Sequence, residues 1–390
     1  MRLQTRLPCI LSVLLAWATP LRPADAAEPA AMASSAVRES FRFDPNEGLI
    51  LIPVHVGNRD YPFVVDTGTG VNGFDVSLRS SLGPRVDTGQ MFTPGNGKTI
   101  AFELYSAPNA RIGSLVLKKS PVGCIDLTPC REAFGSDIRG ILGIDFLEDW
   151  IVAIDFDQGR FSVLAPGTPA DAKWGESVSV EYDDSRLICV LPTVSAGVRD
   201  LFRIDTGSNG AVDLDDALFS RLVSLHEVRV TGDSKAMTLS GSYSPRAGRL
   251  SQFSLGSFQH EKLRTTSGKQ NSLGLAYLHR YRVTIDFPGK RLFLAKGKHF
   301  ADPDRGPMLG ADLMFRGGAI AVESVDQRGP AYAAGVRAKD VIVELCGKPV
   351  SERKSSEIRR LLTTEGKAVQ VTVQRGGKRM EMQFTPREYE

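Results

Sequence analysis

The chain has 390 residues, an apolar content of 42% and a formal net charge of +3 at neutral pH. That length exceeds one average domain and predicts two or three, and no stretch beyond the N-terminus is long and apolar enough to span a membrane. The near-neutral balance excludes the strongly basic surface that binding to nucleic acid or anionic membranes requires.

In chain order, the first element is a signal peptide over residues 1–26. Arg2 and Arg6 precede an apolar run from Leu7 to Ala18, and Ala24-Asp25-Ala26 forms a small-x-small cleavage site. Export follows, with no membrane span once the segment is removed. Its removal takes away three arginines and one aspartate and leaves a net charge of +1. Residues 27–40 read as a flexible segment.

Residues 41–166 form the first of two repeats. A β-rich run, Leu49 to Val56, leads into Phe63-Val64-Val65-Asp66-Thr67-Gly68-Thr69-Gly70. Cys124 and Cys130 lie close together in a Gly/Pro-containing loop, where an oxidising compartment would let them form a disulfide. Ile141-Leu142-Gly143-Ile144-Asp145-Phe146-Leu147 follows, then strands at Ile151–Phe156 and Phe161–Leu164. Ala165 to Glu176, rich in Pro, Gly and Ala, reads as a linker.

Residues 177–297 repeat the series. The run Leu187 to Val194 leads into Phe202-Arg203-Ile204-Asp205-Thr206-Gly207-Ser208. A proline stands thirteen residues before each Asp, at Pro53 and Pro192. Asp213 to Val223 is the clearest helix, with Asp213 as its cap. Ser272-Leu273-Gly274 matches Ile141-Leu142-Gly143. Without a gap, Val283–Phe287 then matches Val152–Phe156, and Arg291–Leu294 matches Arg160–Val163. Arg203 stands where the first repeat has Val64. Two residues before Asp205 on one strand face, it could approach that carboxyl and favour its ionised form, but the preferred expectation is that it points to solvent at the strand entrance.

After a Lys/Gly/Asp/Pro-rich joint, residues 308–386 change to a mixed pattern. Strands are predicted at Ala319–Val325, Val341–Leu345, Val369–Gln374 and Met380–Phe384, and a helix at Ser355–Leu362. Cys189 and Cys346 sit in apolar runs and read as core residues. No Cys or His spacing fits a metal site, and no cofactor is implied. Gly68 to Gly73 fits G-x-G-x-x-G but lacks a βαβ setting, and metalloprotease and serine-hydrolase motifs are absent from the sequence.

Two duplicated units tend to pack about a pseudo-twofold axis, which brings Asp66 and Asp205 together. Carboxylates in contact share a proton. One then acts as base towards a water held between them while the other protonates a carbonyl oxygen. Gly68 and Gly207 permit close approach of the backbone. Thr67 and Thr206 are expected to bond across the axis, and the hydroxyls of Thr69 and Ser208 to reach the outer carboxylate oxygens.

The doubled Asp-Thr-Gly with its later apolar-apolar-Gly resembles retropepsin-like and pepsin-like aspartic proteases over roughly residues 41–296. That resemblance implies a mainly β fold of two tandem closed β-barrel lobes related by a pseudo-twofold. It also implies a polypeptide substrate, peptide-bond hydrolysis and hairpin flaps at Phe92–Phe102, turning at Pro94-Gly95-Asn96-Gly97, and at Leu239–Gly248. The C-terminal module resembles a PDZ domain, a small α+β fold. Leu309-Gly310-Ala311-Asp312-Leu313 then forms its ligand-carboxylate loop for peptide ends. The PDZ attachment favours a periplasmic location over full secretion. The rival is an inactive, protease-like peptide-binding or scaffold protein.

Overall fold

The computed structural model describes residues 36–92, 97–306 and 308–389. The predicted signal peptide, residues 27–35 of the flexible segment, and Pro94, Gly95 and Asn96 of the first flap lie outside the described residues.

The chain is mainly β, and its two repeats build sheets of matching order. In the first, the strand entering Asp66 (Arg59–Val65) pairs antiparallel with Leu51–Val56 and parallel with Gly140–Leu142. In the second, Phe202–Ile204 pairs antiparallel with Ile188–Val190 and parallel with Ser272–Leu273. Alternation explains Leu51–Val56, where Ile52, Val54 and Val56 point into the core and Pro53 faces out. The central strand buries Phe63, Val64 and Val65 in succession, as a strand covered on both faces must.

A third sheet joins the repeats. Ile151–Asp155 pairs antiparallel with Tyr281–Asp286, with Ala153 opposite Thr284. On one flank lie Arg160–Leu164 and Val37–Arg42, and on the other Arg291–Lys296 and Glu176–Ser179. Equivalent strands thus occupy mirrored places about the centre. A single core cluster runs through both repeats, from Ile50 and Phe63 to Phe202 and Tyr277.

Five sequence expectations about the fold need correction. Residues 37–40 of the expected flexible segment belong to the paired strand Val37–Arg42. Cys346 is exposed and is not a core residue. Val212–Asp215 is a strand, and the helix runs Asp216–Ser224. Its cap is Asp215, which accepts the N–H groups of Ala217 and Leu218 at 2.8 Å each. Val212 and Leu214 are buried in alternation, which places Asp213 on the strand's other face.

Cys124 and Cys130 are free thiols. The loop between them contains a helix, Thr128–Phe134, with Pro129 in its first turn and Gly135 in a left-handed conformation after it. Cys124 belongs to a paired strand beside Arg79, whereas Cys130 packs with Leu49, Val64 and Ile138.

The second hairpin begins earlier than expected. Ala236–Thr238 pairs with Gly241–Tyr243, and Leu239 at the turn packs on Leu127, Ile138 and Ile141 of the first repeat.

The C-terminal module has the four predicted strands and the predicted helix, Ser355–Thr363. An added edge strand, Ala311–Arg316, takes in part of the expected loop. Its own core holds Ile320, Val322, Ile342, Ile358 and Val371. The module docks on the first repeat through the Thr128–Phe134 helix. Arg359 lies over the rings of Phe134 and Phe315, 5.1 and 5.7 Å from their centres, and donates to Ala133 O at 2.9 Å. Arg316 pairs with Glu132 at 2.8 Å, and Ser136 and Ser355 both donate to Glu47 at 2.6 Å.

Candidate active site

The loops after the two central strands meet. Thr67 and Thr206 are fully buried and bonded reciprocally. Each backbone N–H donates to the other's hydroxyl at 3.1 Å. The Thr67 hydroxyl donates to Ile204 O at 2.5 Å, and that of Thr206 donates to Val65 O at 2.8 Å. Removing either hydroxyl while keeping its shape leaves two buried backbone groups unpaired. Thr67→Val or Thr206→Val is therefore expected to cost about 3 kcal/mol in denaturant unfolding, with Thr→Ser retaining most of it. An unchanged midpoint would show that the loops do not depend on this lock.

Asp66 and Asp205 face each other over this lock. A Cβ on Gly68 would lie 2.6 Å from Cγ of Asp205, and one on Gly207 would overlap the carboxyl of Asp66. Gly68 N–H donates to Asp66 Oδ1 at 2.8 Å. The N–H groups of Gly207 and Ser208 donate to Asp205 Oδ1 at 2.9 and 3.0 Å. The carboxyl of Asp66 is pushed above its ordinary range by burial and then by Asp205. That of Asp205 is pushed up by burial and then by Asp213, against the pull of its two N–H donors and of Arg203. The second N–H donor on Asp205 makes the pair unequal, although its lobes are alike in topology.

The hydroxyls of Thr69 and Ser208 do not take the expected place. Among the described hydrogen bonds neither reaches the carboxyl pair. Ser208 contributes its backbone N–H to Asp205, while its hydroxyl accepts Gly210 N–H at 3.2 Å. Arg203 does not point to solvent. It is half-buried and pairs with Asp183 at 2.6 Å while also contacting Gln270. Cys130 lies close enough to Asp66 that its thiol, lifted first by burial and then by that carboxyl, is pushed up to about 12. It is therefore a neutral wall residue at ordinary pH.

Sequence reasoning missed Asp213. Its oxygens accept the hydroxyls of Thr266 and, at 3.0 Å, of Ser272. The available signal was Ser272, the one polar residue in an otherwise apolar pattern. In the C-terminal module, Leu309 is buried and its carbonyl accepts Ala331 N–H at 3.1 Å. Gly310 O accepts Asp326 N–H at 2.8 Å, Asp312 contacts Ser324, and Ala311 and Leu313 lie in the edge strand. Among the described residues no cluster of His, Cys, Asp and Glu has a metal-holding arrangement.

Residues 52–146 match the aspartyl protease family, and residues 307–385 match the PDZ domain. The chain therefore combines an aspartyl-protease-like domain with a C-terminal PDZ domain. Among solved structures, a photosystem II D1 C-terminal processing protease is 23% identical over 24% of this chain and 26% of its own, with a TM-score of 0.21. The chain thus spans about a quarter of that protein. No curated protein matches the chain significantly.

Proposed function

We propose that the chain is an exported endopeptidase of the aspartic type, in which Asp66 and Asp205 share one proton and activate a water between them. The supporting observation is reciprocal packing: each carboxyl rests on the glycine of the other's loop, where neither ionises freely. The ionised member takes a proton from the water as its oxygen attacks the scissile carbonyl carbon. The protonated member gives its proton to the carbonyl oxygen. The diol then collapses: one of its hydroxyls returns its proton to the ionised member as the carbonyl re-forms, and the departing amine takes a proton from the protonated member as the C–N bond breaks. One water is consumed and the pair returns to its starting charge. The two carboxyls titrate as one unit, so neither holds a fixed acid or base role.

A peptide with a hydroxyl-bearing tetrahedral carbon in place of the scissile amide mimics the diol. It should block cleavage of a peptide library by the purified protein, while a chelator should not. Chelator-sensitive cleavage that ignores the mimic would refute the reading. The intact pair and its threonine lock speak against an inactive scaffold. The N-terminal signal pattern supports export, with the periplasm favoured by the PDZ attachment.

The PDZ domain is read as a module for peptide ends, using the Leu309–Leu313 segment and the sheet edge at Ala311–Arg316. That edge lies against the Thr128–Phe134 helix, so a peptide added there competes with the helix. Combining Glu132→Lys with Phe134→Ala removes the helix's side-chain contacts to Arg316 and Arg359, leaving only the Arg359 bond to Ala133 O, and keeps the PDZ residues intact. Apparent affinity for peptides with free C-termini is expected to rise about 10-fold in the full chain, because the open form is no longer a minor fraction. Equal affinities, read by fluorescence anisotropy, would mean that the helix does not sit in the peptide's place.

A further inference from the structure

The duplication supplies an internal control for the walls beside the carboxyl pair. In the first repeat, Gly73 lies opposite Ile141 in one strand pair and opposite Gly123 in the next. In the second, Asp213 lies opposite Ser272 and opposite Thr266. Three equivalent, mutually touching positions are therefore Gly, Ile and Gly on one side and Asp, Ser and Thr on the other. The first set makes an apolar wall: a Cβ on Gly73 would lie 3.0 Å from Ile125 Cδ1, and Ile141 and Leu239 pack nearby. The second set makes an oriented carboxylate, with one hydroxyl donor on each oxygen.

No cation within the chain answers this carboxylate among the described ion pairs. Arg203, opposite Ser272 in the neighbouring strand, is committed to Asp183, and Lys269 to Asp216. Asp213 is still partly exposed. It stands close to Asp205, whose N–H is bonded to Leu273 O, the residue after Ser272. It is also within electrostatic reach of Tyr243 in the Gly241–Tyr243 strand, whose phenol is pushed up by burial and then by Asp213. Asp213 is therefore within reach of both the hairpin and the carboxyl pair, where it can meet a side chain next to a bond under attack. Burial pushes the Asp213 carboxyl above its ordinary range, the hydroxyls of Thr266 and Ser272 pull it back, and a cation placed beside it would favour the ionised form further.

We infer that Asp213 is a specificity-determining residue that selects polypeptides carrying Lys or Arg beside the scissile bond, with an apolar residue on the Gly73–Ile141 side. This rests on the proteolytic reading of Asp66 and Asp205. Acidic side chains are rejected at the same place, because they would bring a further negative charge to three carboxyls.

The test varies the residues flanking the scissile bond in a peptide library and compares Lys and Arg with norleucine, which matches their stem. The wild-type protein is expected to favour the cations at least about 30-fold in kcat/KM, mostly through KM. Asp213→Asn should bring that ratio close to one, and Asp213→Glu should restore part of it. Cleavage that is lost in Asp66→Asn yet shows no cationic preference sinks the inference and leaves the proteolytic reading standing. A preference that survives Asp213→Asn assigns it to another residue and also overturns the inference. If no peptide is cleaved, the proteolytic reading fails. Anisotropy with labelled Lys- and norleucine-containing peptides then decides, equal affinities counting against Asp213. The wild-type comparison does not depend on the variants folding.

Discussion

Asp66→Asn and Asp205→Asn are each expected to lower peptide cleavage at least about 10³-fold, the range that a positioned acid or base supplies. Asparagine preserves the shape and can still accept the N–H bonds from Gly68, or from Gly207 and Ser208. What it cannot do is exchange a proton. Each variant alone should remove nearly the whole effect, and the double variant little more, since the two groups act as a unit. A single variant that keeps a tenth of the activity would contradict a shared pair. Stability should move the opposite way. Folding raises both carboxyls above the ordinary 3.8. Their contribution to stability is therefore fully present below that value and is lost as pH rises through the raised range. Asp66→Asn escapes this loss, so its melting temperature should exceed that of the wild type near neutral pH. The gap should close below the ordinary carboxyl range. Activity should follow a bell against pH, highest where the pair holds one proton.

Much of this site was legible because duplication writes the same local pattern twice. Strand alternation and the Asp-Thr-Gly triplets place Asp66 and Asp205 at equivalent ends, and the ungapped match after Gly143 and Gly274 continues into the strands that join the repeats. Legibility fails where the deciding partner is distant in sequence. Asp213, Asp215 and Asp216 all look like helix caps, and only the backbone turn at Asp215 selects the true one. The second repeat carries one more residue between its Asp-Thr-Gly aspartate and that cap than the first, whose equivalent cap is Asp75. This offset hides the equivalence of Asp213 with Gly73. Ser272 looks like a defect in an apolar strand until Asp213 is found opposite it. Arg203 likewise becomes intelligible through Asp183, twenty residues away. The helix at Thr128–Phe134 carries proline and glycine signals at its ends, but at seven residues it is too short for apolar periodicity to stand out.

Gly68→Ala and Gly207→Ala should also disable cleavage, although neither residue carries any chemistry. Gly68 does not have a left-handed backbone that only glycine favours, so its role is one of space. An added methyl group would sit 2.6 Å from Cγ of Asp205, inside any real carbon contact. Neither side can yield. Asp205 is tethered by two N–H bonds, and the Gly68 loop is held by the hydroxyl and N–H of Thr67. The methyl must therefore push the carboxyls apart, and a pair that no longer touches neither shares its proton nor grips one water. The expected loss is at least about 10²-fold in kcat, since a displacement near 1 Å already has that effect. Gly70→Ala is the control in the same loop: its Cβ would meet nothing nearer than Ser185 O at 3.9 Å, so cleavage should persist. The pH profile separates crowding from unfolding. Carboxyls forced apart lose the repulsion by Asp205 that lifts Asp66, so Asp66 should titrate closer to an ordinary carboxyl. A Gly68→Ala protein that is folded, inactive and still titrates with the wild-type profile would show that contact between the loops is not what couples the pair.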